Sequence, residues 1–301
     1  MNNLQEKIAE LKKKRNAVIL AHNYQLPEVQ DAADFVGDSL ELAQMAAKTD
    51  AKVIVLCGVY FMAETAAIVN PDKKVLIPDI SAGCPMADMI DAQKVRNLKK
   101  KYPDAAVVCY INTTAAVKAE SDICCTSGNA EKIVNSLKGY KKIIFVPDKY
   151  LGSFLSLTSD KEFILSDGYC PTHAKISPKL INELKEKHKN AKVIVHGECA
   201  PMVKETANKI LSTGKMCSYV RNSQARIFIV GTEREIIHRM KKENPGKEFI
   251  HASPLAVCPN MKKDDLEKIY YVLQNMVNIV NVEEDIRKKA EVCIKRMLDV
   301  A

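Results

Sequence analysis

"NAVILAHNY", residues 16–24, runs a short β-prone segment into a polar end at His22, Asn23 and Tyr24. The same shape returns twice, as "DAAVVCYIN" at 104–112 and "NAKVIVHGE" at 190–198. His22, Tyr110 and His196 fall in register at intervals of 88 and 86 residues, and Tyr24, Asn112 and Glu198 repeat those intervals two places on. Alternate residues of an extended segment point the same way, so each pair presents two polar side chains together at a strand end. A fixed period of this kind marks a repeated supersecondary unit.

Working outward, three more stations keep the period. Ser39 in "GDSLELA", Ser127 in "CTSGNAEKI", and Ser212 with Thr213 in "LSTGKM" open helical patterns, where N-capping is the plain alternative to binding. Buried strands follow in "AKVIVLCG" (51–58), "YKKIIFVPD" (140–148) and "QARIFIVGT" (224–232). A fourth station ends in Cys84, Cys170 and Cys258, each followed by proline and spaced 86 and 88 residues apart. Strands alternating with helices predict an α/β fold with parallel sheets covered on both faces. The expectation is three repeated three-layer α/β/α units, 1–88, 89–175 and 176–262, arranged with pseudo-threefold symmetry around a central site. Residues 263–301 form C-terminal helices that close the assembly, and the helix at about 3–14 leads into the first unit. Ligands of such sheets gather outside the C-terminal strand ends, where the polar stations and cysteines all fall.

Composition narrows the function class. The chain has 301 residues, 47% apolar and 27% charged, as ordinary globular proteins do. Its N-terminus shows no apolar signal region, and its longest apolar stretch, 53–63, is well short of the ~20 residues of a membrane span. A cytosolic protein without membrane attachment is expected, with reduced thiols. The net charge of +8 sits in lysine runs at the ends of amphipathic helices. No zinc-finger spacing, RNP motif or aromatic ladder accompanies that charge, and no nucleic-acid partner is expected.

Three cysteines brought to one centre suggest a metal site. There is no C-x-x-C pair of the kind that structural zinc prefers. A [4Fe–4S] cluster held by three cysteines leaves one iron open, able to act as a Lewis acid on a hydroxyl or carboxylate. The other seven cysteines, Cys57, Cys109, Cys124, Cys125, Cys199, Cys217 and Cys293, read as apolar core. Around the centre, His22, Tyr24, Tyr110, Asn112, His196 and Glu198 suit a substrate bearing carboxylates or phosphate, and Tyr24, His173 and Glu198 are placed to move protons. On these residues alone, an iron–sulfur redox or iron sensor and a zinc-dependent hydrolase stay open beside a dehydratase-type enzyme.

The segments "ILAHNYQLPEVQDAADFVGDSLELA", "GVYFMAETAAI", "CPMADM", "YINTTAAVKAESDICCTSGNA", "GYCPTH", "VIVHGEC", "STGKM" and "VGTEREIIHRM" strongly resemble the quinolinate synthase family, from about residue 16 to beyond Cys258. The resemblance implies an iron–sulfur enzyme of de novo NAD biosynthesis in the cytoplasm. Such an enzyme condenses iminoaspartate with dihydroxyacetone phosphate to quinolinate, releasing phosphate and water. An aspartate-oxidising enzyme would supply the iminoaspartate. Carried over by motif, Cys84, Cys170 and Cys258 would hold the [4Fe–4S] cluster. His22, Ser39, Tyr110, Ile111, Asn112, Ser127, His196, Gly197, Glu198 and Thr213 would bind substrate, with Tyr24, Tyr110, His173 and Glu198 catalytic. The chain departs from the family's usual residues at Gly197, where proline is common, at Thr113, where serine is common, and at Cys125, an extra cysteine beside Cys124.

Overall fold

The computed structural model describes residues 3–300. After helix α1 (Asn3–Arg15), the first unit runs β1 (Ala17–His22), α2 (Pro27–Ala32), β2 (Phe35–Gly37), α3 (Ser39–Lys48), β3 (Val53–Cys57), α4 (Tyr60–Val69) and β4 (Lys74–Leu76). The second runs α5 (Ala92–Lys101), β5 (Ala105–Tyr110), α6 (Ala115–Ala119), β6 (Ile123–Cys125), α7 (Ala130–Ser136), β7 (Lys142–Val146), α8 (Lys149–Ser156) and β8 (Glu162–Leu165). The third repeats it as α9 (Pro178–Lys187), β9 (Lys192–Val195), α10 (Pro201–Glu205), β10 (Lys209–Ile210), α11 (Thr213–Asn222), β11 (Ile227–Gly231), α12 (Ile236–Glu243) and β12 (Glu248–His251). Helices α13 (Leu266–Asn275) and α14 (Glu284–Val300) complete the chain.

Each unit forms one four-stranded parallel sheet in the order second, first, third, fourth strand. The central strands are buried along nearly their whole length, as in "VIVLC" of β3 and "AAVVCY" of β5, because helices cover both faces. Every fully buried Val, Ile or Leu there contributes about 1.5–3 kcal/mol of transfer free energy. The repeat persists at the level of single hydrogen bonds. The backbone N–H groups of Ile19, Val107 and Val193 donate at 2.7 Å to the side chains of Asp34, Asp122 and Asn208 in the three units.

Two features go beyond the pattern read from sequence. Each sheet carries a short edge strand, β2, β6 or β10, of three, three and two residues, too short for a period-2 signal. The first sheet also carries a covering helix besides its leader α1. Asp91, Ser177 and Asp265 cap α5, α9 and α13 through the same N-cap-to-N3 hydrogen bond and stand 86 and 88 residues apart. Helix α13 packs its Leu266, Ile269, Val272 and Leu273 into the core of the first sheet, with α1 against it. The helix following the third Cys-Pro turn therefore covers the first sheet and closes the ring. Arg15 ties α1 to the end of α13 through the carbonyls of Leu273 and Gln274. Helix α14 lies over α4, α6, α7 and β6.

Candidate active site

The C-terminal strand ends of the three sheets meet at one cavity of about 180 Å³. Cys84, Cys170 and Cys258 all line it, as do His22, Tyr24, Ser39, Tyr110, Asn112, Ser127, His173, His196, Glu198 and Thr213. Ile111 and Gly197 do not. Ile111 is buried and faces a separate small void beside Leu42 and Ala66, and the Gly197 carbonyl accepts from Lys204 Nζ at 3.2 Å. The seven remaining cysteines are all buried.

Two histidines occupy equivalent places. His22 Nδ1 accepts from the Tyr24 backbone N–H at 3.2 Å, and His196 Nδ1 accepts from the Glu198 N–H at 3.3 Å. Accepting at Nδ1 leaves the proton on Nε2, and His196 Nε2 accordingly donates to Ser127 Oγ at 3.0 Å. Burial lowers both histidines, to about 3 for His22 and about 4 for His196, so both are neutral donors at ordinary pH. Repetition of the strand-end motif thus repeats a chemical device.

A chain of polar contacts crosses the cavity through all three units. Tyr110 Oη donates to Glu198 Oε1 at 2.5 Å. Glu198 Oε2 lies 3.0 Å from His173 Nδ1, an ion-pairing distance at an angle bent away from a straight hydrogen bond. His173 Nε2 is 2.8 Å from Thr232 Oγ1, which is 2.5 Å from Tyr24 Oη. With Nδ1 turned to a carboxylate, Nε2 accepts from Thr232, and Thr232 accepts from Tyr24. Burial alone would push the Glu198 carboxyl up, but His173, His196 and the Tyr110 hydroxyl hold it well below the usual range. Burial next to Glu198 raises both phenols, Tyr24 and Tyr110. The result is a buried carboxylate facing two protonated phenols.

Thr232 escaped the sequence reading. The residues following the equivalent strands β3 and β7 are Gly58 and Pro147, so periodicity does not single out a hydroxyl there. Asp38 was also missed. It caps α3 by accepting from Leu40 and Glu41 N–H at 3.0 Å each, and its other oxygen reaches Ser212 Oγ at 3.3 Å and Gly214 N–H at 3.2 Å. Ser39 therefore begins α3 rather than capping it, whereas Ser212 does cap α11, by accepting from the Lys215 N–H.

The Cys-Pro turns lead into short helical turns whose backbone N–H groups point back at sulfur, those of Met86 and Ala87 at Cys84 and those of Thr172 and His173 at Cys170. Burial raises both thiols, Cys84 to about 12, and these donors counter it. Cys170, His173 and Glu198 bring sulfur, nitrogen and oxygen within 4.8 Å of one another, a group able to hold a metal ion. The sulfurs of Cys84, Cys170 and Cys258 are not all within that distance.

A family model described as quinolinate synthetase A protein matches residues 6–299. The chain belongs to the quinolinate synthase family. It is 57% identical over 297 residues to a quinolinate synthase of Dehalococcoides mccartyi strain CBDB1, covering 99% of this chain and 98% of that one. It is 54% identical over 300 residues to the quinolinate synthase of Pelobacter propionicus, with 99% and 98% covered. An archaeal quinolinate synthase, from Methanosarcina barkeri, is 52% identical over 295 residues, with 98% and 97% covered. Family membership and the repeat thus agree over nearly the whole chain. No helix among the described residues is long and apolar enough to cross a membrane.

Proposed function

We propose that the protein is a quinolinate synthase of NAD biosynthesis that condenses iminoaspartate with dihydroxyacetone phosphate, with loss of phosphate and water. The observation that carries this reading is the convergence of three Cys-Pro turns and three polar strand ends, one from each unit, on a single cavity. Cys84, Cys170 and Cys258 would hold a [4Fe–4S] cluster. Their place, one on each Cys-Pro turn at the wall of a single cavity, supports a group shared by the three units. When bound, the cluster would supply a Lewis-acidic iron for a departing oxygen.

The protein's own groups supply the rest. Neutral His22 donates from Nε2 to a carboxylate oxygen without bringing a proton that competes for it, while His196 orients the Ser127 hydroxyl toward the cavity. The hydroxyls of Ser39, Ser127 and Thr213 and the amide of Asn112 add uncharged donors. Condensation removes a proton from carbon and delivers one to a leaving oxygen. Glu198 is the acceptor, oriented by Tyr110 and His173, and the Tyr24 hydroxyl, positioned by Thr232 and lining the cavity, gives a proton to the leaving oxygen. Supply of iminoaspartate by an aspartate-oxidising enzyme and a cytoplasmic location accompany this reading.

The test is direct. Anaerobically purified protein, given dihydroxyacetone phosphate and iminoaspartate generated from oxaloacetate and ammonia, should form quinolinate detectable by mass spectrometry. Iron-loaded protein that forms none would overturn the assignment and favour the sensor reading.

A further inference from the structure

Away from the cavity, three thiols from distant parts of the chain converge in the core. Cys109 on β5 and Cys124 on β6 are register partners across adjacent strands, with sulfurs 3.4 Å apart. Cys293, on the buried face of α14, lies 3.1 Å from Cys124 and 3.8 Å from Cys109. All three are at most 1% exposed, and none lines the cavity. Ordinary carbon contacts in a core lie at about 3.5–4.0 Å. A sulfur pair at 3.1 Å is closer than that although sulfur is the larger atom. Apolar filling alone does not call for such an approach.

We propose that Cys109, Cys124 and Cys293 form a second, mononuclear site that binds zinc and fastens α14 to the sheet of the second unit. The circle through the three sulfurs has a radius of about 2.0 Å, close to the about 2.2 Å of one face of a tetrahedron with 2.3 Å zinc–sulfur bonds. A flat three-coordinate site with the same bonds needs about 2.3 Å, so the triangle suits a tetrahedral ion standing above the sulfur plane. Three cysteines leave the fourth position of the tetrahedron to a water. A four-iron cluster is larger than one ion and needs its sulfurs spread wider than these.

The surroundings are suited to thiolates. Lys118 is fully buried, donates from Nζ to the Thr113 carbonyl, and acts on Cys109. Three thiolates and a divalent ion sum to one negative charge, which the Lys118 ammonium offsets. Binding replaces the S–H protons by the ion and releases them to solvent. The site is buried and stands apart from the cavity, so the ion would fasten the helix to the sheet rather than take part in the reaction.

The experiment uses the whole chain, produced in zinc-supplemented medium and purified anaerobically, with iron and zinc counted by mass spectrometry. We expect about one zinc per chain beside the iron, with sulfur dominating its first shell in zinc-edge X-ray absorption. Cys124→Ala and Cys293→Ala should lose zinc and keep iron, while Cys84→Ser should keep zinc. Zinc near zero in the wild type overturns the proposal, as does zinc retained in both alanine variants or a Cys124–Cys293 disulfide in unreduced protein. If an alanine variant fails to fold, the wild-type zinc count and absorption edge still decide.

Discussion

Glu198 has both oxygens engaged, one by Tyr110 and one by His173, in a place from which water is nearly excluded. Replacing it by Gln preserves shape and removes the charge that accepts a proton. Glu198→Gln should keep its iron and bind substrate within a few-fold, while turnover falls roughly 10²–10⁴-fold, the range a general base supplies. Turnover near normal would reduce Glu198 to scaffolding. The neutral histidines make a second prediction. Burial holds His22 at about 3 and His196 at about 4, below the 6.5 of an unfolded histidine. Between pH 6.5 and those values the unfolded chain binds more protons, so stability present at pH 7 is lost on acidification. Urea unfolding of metal-free protein should show a loss of about 2 kcal/mol per histidine between pH 7 and pH 5, smaller by one share in His22→Asn. An unchanged slope in that variant would contradict a buried neutral His22. At this scale the sequence was most legible where a residue recurs. His22, Tyr110 and His196 announced themselves by register, whereas Thr232, without a hydroxyl counterpart in the other units, could be found only once the chain was folded.

Helix α3 shows how one element serves two units. Asp38 and Glu41 form a capping box at its start, and the free oxygen of Asp38 meets the first turn of α11. The approach is so close that a Cβ at position 214 would lie 2.8 Å from that oxygen, which is why glycine stands there. Asp38→Ala should cost about 2 kcal/mol or more, from the lost cap and the unpaired Gly214 N–H, while Asp38→Asn recovers most of it. Equal stability of the alanine variant and the wild type, by thermal or urea unfolding, would remove this link from the account. Elements with a full period were readable in advance, including the central strands and the amphipathic leader helices. The edge strands were not, since two or three residues carry no alternation. A trace of them was nevertheless present in Asp34, Asp122 and Asn208, whose side chains take the place of a ladder acceptor beside each edge. Helix α1 does lead into the first unit, packing on β1 with Ile8 in the core of the first sheet, and the closed ring adds α13 from downstream, which a linear reading does not look for.

On the scale of the whole molecule, three sheets of one topology turn the C-terminal ends of their strands to a common cavity, and that geometry converts a period of 86 to 88 residues into one site. The convergence was legible because each Cys-Pro turn stands 60 to 62 residues after the first member of its strand-end pair. The contacts between units were not, because Asn23 to Thr213 or Tyr24 to Thr232 joins residues about 200 positions apart with no shared pattern. The central claim is that one cysteine from each unit, and no other, holds the iron. The measurement is iron per chain after anaerobic reconstitution, in the wild type and in four single variants. About four irons are expected in the wild type and in Cys293→Ser, with severe loss in Cys84→Ser, Cys170→Ser and Cys258→Ser. Full iron in Cys170→Ser together with its loss in Cys293→Ser would contradict the account.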